Sequence, residues 1–206
     1  MKTFPDFPKQ KKGDFHEIVS MKTSPNISIA KSNYSELYKR LKAINNWESF
    51  SDKVKASFYL VDAKTLKITT TFKTGNFVKI DIPGPGNPSG NGFDWTDIIN
   101  VQESKENDDY PFLTFTLKPC KSPENSKDVV AHFFDDESTN TFVVRRMGTY
   151  LFAEVHGRNQ QKNIKDIPLK DTIRNAAILM GNTIGLAGLN WLGLTDALLQ
   201  PFALEE

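Results

Sequence analysis

The stretch VKASFYL at residues 54–60 decides the fold class, because apolar and polar side chains alternate along it. An alternation with a period of two gives a strand one apolar face, which packs on a core. The pattern recurs along the chain, and the segments with strand character are 54–60, 66–72, 78–82, 95–101, 112–117, 129–134, 141–146 and 149–156. No helical pattern separates consecutive strands, which argues against a parallel βαβ fold. We therefore predict an α+β protein with an antiparallel sheet or open barrel of about eight strands.

Helical patterns flank the predicted sheet on both sides. Residues 33–45 have apolar side chains at helical spacing, with Asn33 as the N-cap and Glu36 three residues later, as in a capping box. A C-terminal helical segment at 168–200 begins with a proline, which is favourable in a first turn. We predict that this segment packs on the sheet. The domain organisation then comprises an N-terminal arm at 1–30 and a single domain at 31–206.

Composition and charge exclude several classes of protein. The 26 basic and 25 acidic residues leave a net charge of +1, so no large basic surface is expected to attract nucleic acid. Cys120 is the single cysteine, so an intrachain disulfide cannot form. The polar start of the chain lacks the apolar region of a signal peptide. Together these features predict a cytoplasmic protein without nucleic-acid partners.

The stretch between Arg174 and Asp196 contains 21 residues without a charged side chain. A helix that is apolar nearly all round must be covered on more than one side, and one sheet covers only one side. Three interpretations remain open, namely helices packed on the sheet, an oligomer interface and a membrane-inserting segment. A membrane partner is disfavoured by the glycines, asparagines and threonines in the stretch, but it stays open. The residues predicted to contact a partner are Phe4, Phe7, Gly181, Gly185, Leu189, Trp191 and Leu192.

Candidate catalytic residues lie near the end of the last strand. Glu154 and His156 are two positions apart, so they share one face, where a carboxylate could orient an imidazole for acid–base chemistry. Arg158 follows on the same face, and His132 could join them if the strands are adjacent. The spacing of these side chains is not diagnostic of a metal site. We expect no metal and no cofactor.

These observations leave four hypotheses about function. The main one is a non-catalytic protein-interaction or structural subunit of a larger assembly, either a homo-oligomer or a hetero-assembly with other protein chains. It rests on the aromatic N-terminal arm, the Gly/Pro-rich loop at 83–92 and the uncharged C-terminal stretch. The alternatives are a binder of an apolar small molecule between the sheet and the C-terminal helix, an enzyme with the Glu154, His156 and Arg158 site, and a membrane-active protein. Catalysis has less support than binding, because no nucleophile motif is present.

Overall fold

A computed structural model describes residues 5–104, 108–163, 170 and 186–202. In this part of the chain one antiparallel sheet contains seven strands in the order β1-β7-β6-β5-β4-β3-β2. The strands are β1 (Asp14–Thr23), β2 (Ser57–Val61), β3 (Phe77–Asp81), β4 (Asp94–Glu103), β5 (Phe112–Pro119), β6 (Thr139–Met147) and β7 (Tyr150–Gln160). The helices α1 (Ile27–Lys42) and α2 (Leu186–Leu199) accompany the sheet. The predicted α+β class, antiparallel sheet and N- and C-terminal helices are confirmed.

The strands differ from the sequence prediction at three places. Residues 14–23, which the prediction placed in the N-terminal arm, form β1 and pair with β7. Residues 66–72 are not a strand, because Leu66 adopts a left-handed backbone with φ 55° and only one bridge joins Ile68 to Val61. Residues 129–134 form a connection, in which Ala131 bridges the backbones of Trp95 and Cys120.

The first helix begins earlier than predicted. Its N-cap is Asn26, whose side-chain oxygen accepts a hydrogen bond from the Ile29 N–H at 3.0 Å. Asn33 lies inside the helix, and its side-chain amide donates to the Ser24 hydroxyl at 3.1 Å. The sequence pattern located the apolar face correctly, since Leu37 and Leu41 are fully buried, but it assigned the wrong cap.

The core lies between one face of the sheet and the helices, and we call this face the inner face. Trp47, in a 3₁₀ turn at Ile44–Phe50, is fully buried and contacts Phe58, Phe115 and Phe142 on the sheet. Its indole N–H donates to the Leu41 carbonyl at 3.2 Å, so its polar atom is also satisfied. This side chain therefore connects the end of α1 with three strands.

The C-terminal helix α2 packs against the chain's own sheet. Leu194, Ala197, Leu198 and Leu199 are buried in the main core. On one side the Ser20 hydroxyl of β1 lies 2.8 Å from the Thr195 hydroxyl and donates to Asp196 Oδ1 at 2.6 Å. On the other side Arg40 of α1 donates to the carbonyls of Ala197 and Leu198. No helix in the described part of the chain is both long enough and apolar enough to span a bilayer.

Leu194 and Leu192 provide a matched test of this packing, because they lie two residues apart on α2. Leu194 is 0% exposed and Leu192 is 41% exposed. We expect Leu194→Ala to lower the free energy of unfolding by about 2 to 5 kcal/mol, because it leaves a cavity in the core. We expect Leu192→Ala to change it by less than about 1 kcal/mol. Urea denaturation monitored by circular dichroism measures both values, and equal losses would contradict the packing.

Candidate functional site

A row of aromatic rings crosses the inner face of the sheet. The Trp191 ring of α2 lies 5.1 Å from the Phe142 ring, Phe142 stacks on Phe115 at 4.9 Å, and Phe115 meets Phe72 edge to face at 5.0 Å. Phe142 and Phe115 are almost completely buried, whereas Trp191 and Phe72 are half-buried. We call these four residues the aromatic row. The middle of the aromatic row is therefore buried in the core, and its two ends, Trp191 and Phe72, are partly exposed to solvent.

Three different kinds of element position the aromatic row. Phe115 and Phe142 are directly opposite each other in the register of β5 and β6, so their side chains share a face and stack. Trp191 comes from α2, and its ring also contacts Phe58 on β2 at 6.1 Å. Phe72 comes from the connection between β2 and β3. The row therefore depends on the tertiary fold and cannot be recognised as a sequence motif.

A small group of polar side chains lies beside the Phe72 end of the row. The Tyr38 hydroxyl donates to Glu103 Oε2 at 2.6 Å, and Lys42 Nζ donates to the Tyr38 oxygen at 3.3 Å. Lys42 Nζ also lies 5.7 Å from the centroid of the Phe72 ring. Burial, together with the hydrogen bond to Glu103 and the charge of that residue, raises the pKa of Tyr38 to about 12. We call Tyr38, Lys42 and Glu103 the polar rim.

The predicted catalytic residues lie on the opposite face of the sheet, which we call the outer face. His156 Nε2 lies 2.7 Å from Glu154 Oε2, so the predicted proximity of these two groups is present. Arg145 donates from Nε to the other carboxylate oxygen of Glu154, and Arg158 is paired with Glu17 on β1. The structure thus assembles Glu154, His156 and Arg158 in one network of charged side chains.

Phe7 covers this network. Its ring lies 4.4 Å from the His156 ring, and His156 is 8% exposed. Phe7 belongs to the N-terminal arm, which in the described part of the chain is residues 5–12. Two side-chain amides hold the arm. The Gln102 amide pairs with the backbone of Asp6, and the Asn159 amide donates to the Lys9 carbonyl. The arm thus packs on its own chain, and the imidazole lies beneath it.

His132 belongs to a different part of the structure. Its Nδ1 accepts a hydrogen bond from the Phe134 N–H at 3.0 Å, and its ring stacks on Phe133 at 4.4 Å. The backbone carbonyl of His132 accepts from the Asn163 amide at 2.8 Å. These contacts place it in the connection before β6 and not in the Glu154 network. Within the described residues, no group of three or more histidine, cysteine, aspartate or glutamate side chains could hold a metal ion.

The residues predicted to contact a partner have different locations. Phe7 and Trp191 pack on their own chain, against His156 and Phe142 respectively. Leu192 is exposed. Phe4, Gly181 and Gly185 lie outside the described residues, as does the side chain of Leu189.

Comparison with known proteins gave matches among solved structures alone. No family model matches the chain, and no curated protein matches it. A norcoclaurine synthase point mutant from Thalictrum flavum, solved with a transition-state analogue, is 9% identical with a TM-score of 0.41, covering 93% of this chain and 99% of that one. The ginseng major latex-like protein 151 from Panax ginseng is 10% identical with a TM-score of 0.39, and the match covers 85% of this chain and 98% of that chain. The Zhui aromatase/cyclase from a Streptomyces species is 8% identical with a TM-score of 0.38, and the match covers 91% of this chain and 96% of that chain.

The main functional prediction, a non-catalytic interaction or structural subunit, is wrong. Each feature behind that prediction has a different explanation within this chain. The arm packs on His156, the Gly/Pro-rich loop has buried residues at Asn87, Ser89 and Gly90, and α2 packs in the core. At about one identical residue in ten, the similarity does not extend to individual site residues.

Two titratable groups, one on each face of the sheet, make stability depend on pH. Burial lowers the pKa of His16 on the inner face of β1. Burial alone would raise the pKa of Glu154 on the outer face, but the hydrogen bonds from His156 and Arg145 and the charge of Arg145 outweigh it and lower that pKa. Because both groups bind protons less readily in the folded state, acid favours unfolding. The contribution of His16 is present above its unfolded pKa of about 6.5 and is lost as the pH falls through its lower folded value. That of Glu154 is lost at more acidic pH.

We therefore expect the free energy of unfolding to decrease as the pH is lowered from about 7.5 to about 5.5. The decrease should be smaller in His16→Gln, because this variant lacks the titrating imidazole. Urea titrations of both proteins at each pH measure this difference. Met21→Gln is the control, since it introduces a glutamine at an exposed position of the same strand and keeps every titrating group. Equal pH dependence in the wild type and His16→Gln would contradict the assignment.

Proposed function

We propose that this protein binds an apolar small molecule between the inner face of the sheet and α2, along the aromatic row. The observation that carries the proposal is the partial exposure of the two ends of the row, Trp191 and Phe72, while its middle is buried. Large half-buried aromatic surfaces next to a core are typical of sites for apolar ligands.

Burial of aromatic surface provides the affinity. Covering apolar area contributes roughly 25 cal/mol per Å², so a ligand that shields the exposed parts of the two end rings gains several kcal/mol before the costs of association. The buried rings Phe115 and Phe142 are stacked and fixed by cross-strand pairing, so they need no reordering on binding. A prearranged surface of this kind reduces the entropic cost of binding.

The polar rim suggests the form of the ligand. Lys42 is half-buried and carries an ammonium group next to the Phe72 ring. The Tyr38 hydroxyl is neutral at physiological pH, and its raised pKa of about 12 moves it further from ionisation. An apolar molecule that lies against Phe72 can place a carboxylate near Lys42. We therefore propose a ligand with an apolar body and one anionic end.

The outer-face network supports an enzyme less well. Both carboxylate oxygens of Glu154 are engaged, one by Arg145 and one by His156. The His156 ring lies under Phe7, so a substrate would first have to displace the arm. The exposed parts of Trp191 and Phe72 are accessible without such a displacement, which favours binding at the inner face.

Substitutions of aromatic residues by alanine test the apolar site. The probe is the fluorescent dye 1-anilinonaphthalene-8-sulfonate, which has an aromatic body and an anionic group. We expect Phe72→Ala and Trp191→Ala each to raise its dissociation constant by about tenfold, or roughly 1.4 kcal/mol, because each removes a ring that the ligand covers. Phe15→Ala is the matched control, since Phe15 is 65% exposed on β1 and should leave binding unchanged.

Circular dichroism and thermal melting check whether the variants remain folded. Unchanged affinity in both site variants, or an equal loss in Phe15→Ala, would show that the dye binds elsewhere and would overturn the proposed site.

A pair of lysine variants tests the anionic end. Lys42 and Lys39 lie on the same helix, but Lys39 is exposed and Lys42 lies at the polar rim. We expect Lys42→Met to weaken binding of decanoate by about three- to tenfold and to leave binding of decanol unchanged, because decanol lacks the charge. Lys39→Met should affect neither ligand. Competition against the dye measures the dissociation constants of both ligands in the wild type and in both variants. An equal effect of Lys42→Met on the two ligands would contradict a charge contact.

A further inference from the structure

Strand β1 ends the sheet, and one of its two edges has no partner strand within the described residues. It pairs with β7 along its whole length, from Asp14 to Thr23. Its inner face is covered by α2 through Ser20. The second edge is ten residues long and is a template for another strand.

The pairing pattern shows which backbone groups this edge presents. The Ser24 N–H donates to the Thr149 carbonyl, next to the pair Thr23–Tyr150. In an antiparallel pair, the backbone N–H and C=O groups of successive residues point alternately toward and away from the partner strand. The backbone groups of the even-numbered residues of β1 therefore bond to β7, and those of the odd-numbered residues point away from it. The N–H and C=O groups of Glu17, Val19 and Met21 therefore face the free edge. The side chains of Val19 and Met21 are also half exposed, at 50% and 51%.

The free edge lacks the features that usually prevent strand addition. Between residues 16 and 23 there is no proline, and the register of β1 with β7 is regular, since its one irregularity lies between Asp14 and His16. The middle of the strand, Ile18-Val19-Ser20, carries no charge. Natural edge strands usually carry a central lysine, a bulge or a proline. An edge without them is suited to a specific partner.

We propose that the partner is a second copy of this chain, and that β1 pairs with β1 of the other copy in an antiparallel two-fold arrangement. The charges select the register. With Ile18 opposite Ile18, Asp14 lies opposite Lys22 in both halves of the interface, and Phe15 lies opposite Met21. A register centred on Glu17 places two carboxylates opposite each other, which is destabilising. A register centred on Val19 places Asp14 opposite Ser24 and Lys22 opposite His16, so neither charge has an opposite partner.

This arrangement joins the two sheets into one continuous sheet. The interface is isologous, so each favourable contact occurs twice. It shields Val19 and Met21 and supplies partners for the backbone groups that β7 leaves unpaired. The proposal is independent of the aromatic row, which lies on the inner face, and its test does not involve a ligand.

A proline substitution tests the edge selectively. The Val19 N–H points to the free edge. Val19→Pro therefore removes one backbone hydrogen bond between the two copies and keeps the backbone hydrogen bonds between β1 and β7. Sedimentation velocity of the full chain over a range from low to high micromolar measures the association. We expect the wild type to form dimers and Val19→Pro to raise the dimer dissociation constant by about tenfold or more, since two hydrogen bonds are lost by symmetry. Val19→Thr keeps the N–H and should associate like the wild type.

A charge exchange tests the register and remains informative if the proline variant fails to fold. We expect Asp14→Lys to raise the dissociation constant by about fivefold, because Lys22 then faces a like charge, and Asp14→Lys with Lys22→Asp to restore it. A wild-type chain that stays monomeric at high micromolar concentration overturns the proposal. A dimer that is insensitive to the charge exchange, or to a folded Val19→Pro variant, also overturns it, because another surface then forms the contact.

Discussion

The contact of Trp47 with the sheet is the interaction on which the rest of the structure depends. This one side chain contacts aromatic rings on β2, β5 and β6, and its indole N–H donates a hydrogen bond to a carbonyl in the last turn of α1. A large aromatic ring buries much apolar area and has few rotatable bonds, so it fixes the distance between the two layers at low entropic cost. With Trp47 in place, α1 lies above β6 and its last turn reaches the polar rim. The space beside Trp47 is then filled by Trp191 from α2, which packs on two of the same rings.

The two faces of the sheet have opposite chemistry because different parts of the chain cover them. The inner face receives helices and is apolar, with Leu113, Phe115, Phe142 and Val155 all at most 1% exposed. The outer face carries the ion network of Arg145, Glu154 and Arg158, and the arm at residues 5–12 covers part of it. Charged groups can be buried there because each has an oppositely charged partner at hydrogen-bond distance. A single alternation of side chains along β6 and β7 thus produces an apolar surface and a polar surface back to back.

The sequence predicts those parts of the fold in which the alternation of apolar and polar residues is strong. The segment 112–117 is an example, because Leu113, Phe115 and Leu117 alternate with threonines and enter the main core, and the segment corresponds closely to β5. Strand β1 escapes prediction because its buried face holds His16, Ile18 and Ser20 while Phe15, Val19 and Met21 lie on the exposed side, which is the reverse of the expected pattern. Residues 66–72 alternate well, yet the turn at Asp62 and the left-handed Leu66 take them out of the sheet. The proximity of Glu154 and His156 follows from spacing within one strand, whereas their burial depends on Phe7, far away in the chain. The aromatic row joins residues from four separate elements, so no local pattern indicates it.

Helix α2 lies between the two proposed sites and connects them physically. Its residues Thr195 and Asp196 hold Ser20 in the middle of β1, and Trp191, one turn away, forms one end of the aromatic row. Pairing of β1 with a second copy would restrict the motion of the strand to which α2 is bonded. A ligand against Trp191 would restrict the same helix from its other side. A ligand and a second copy would therefore act on the same helix from two sides. The hydrogen-bonded group of Ser20, Thr195 and Asp196 is the polar part of the contact between α2 and β1, through which one event could influence the other.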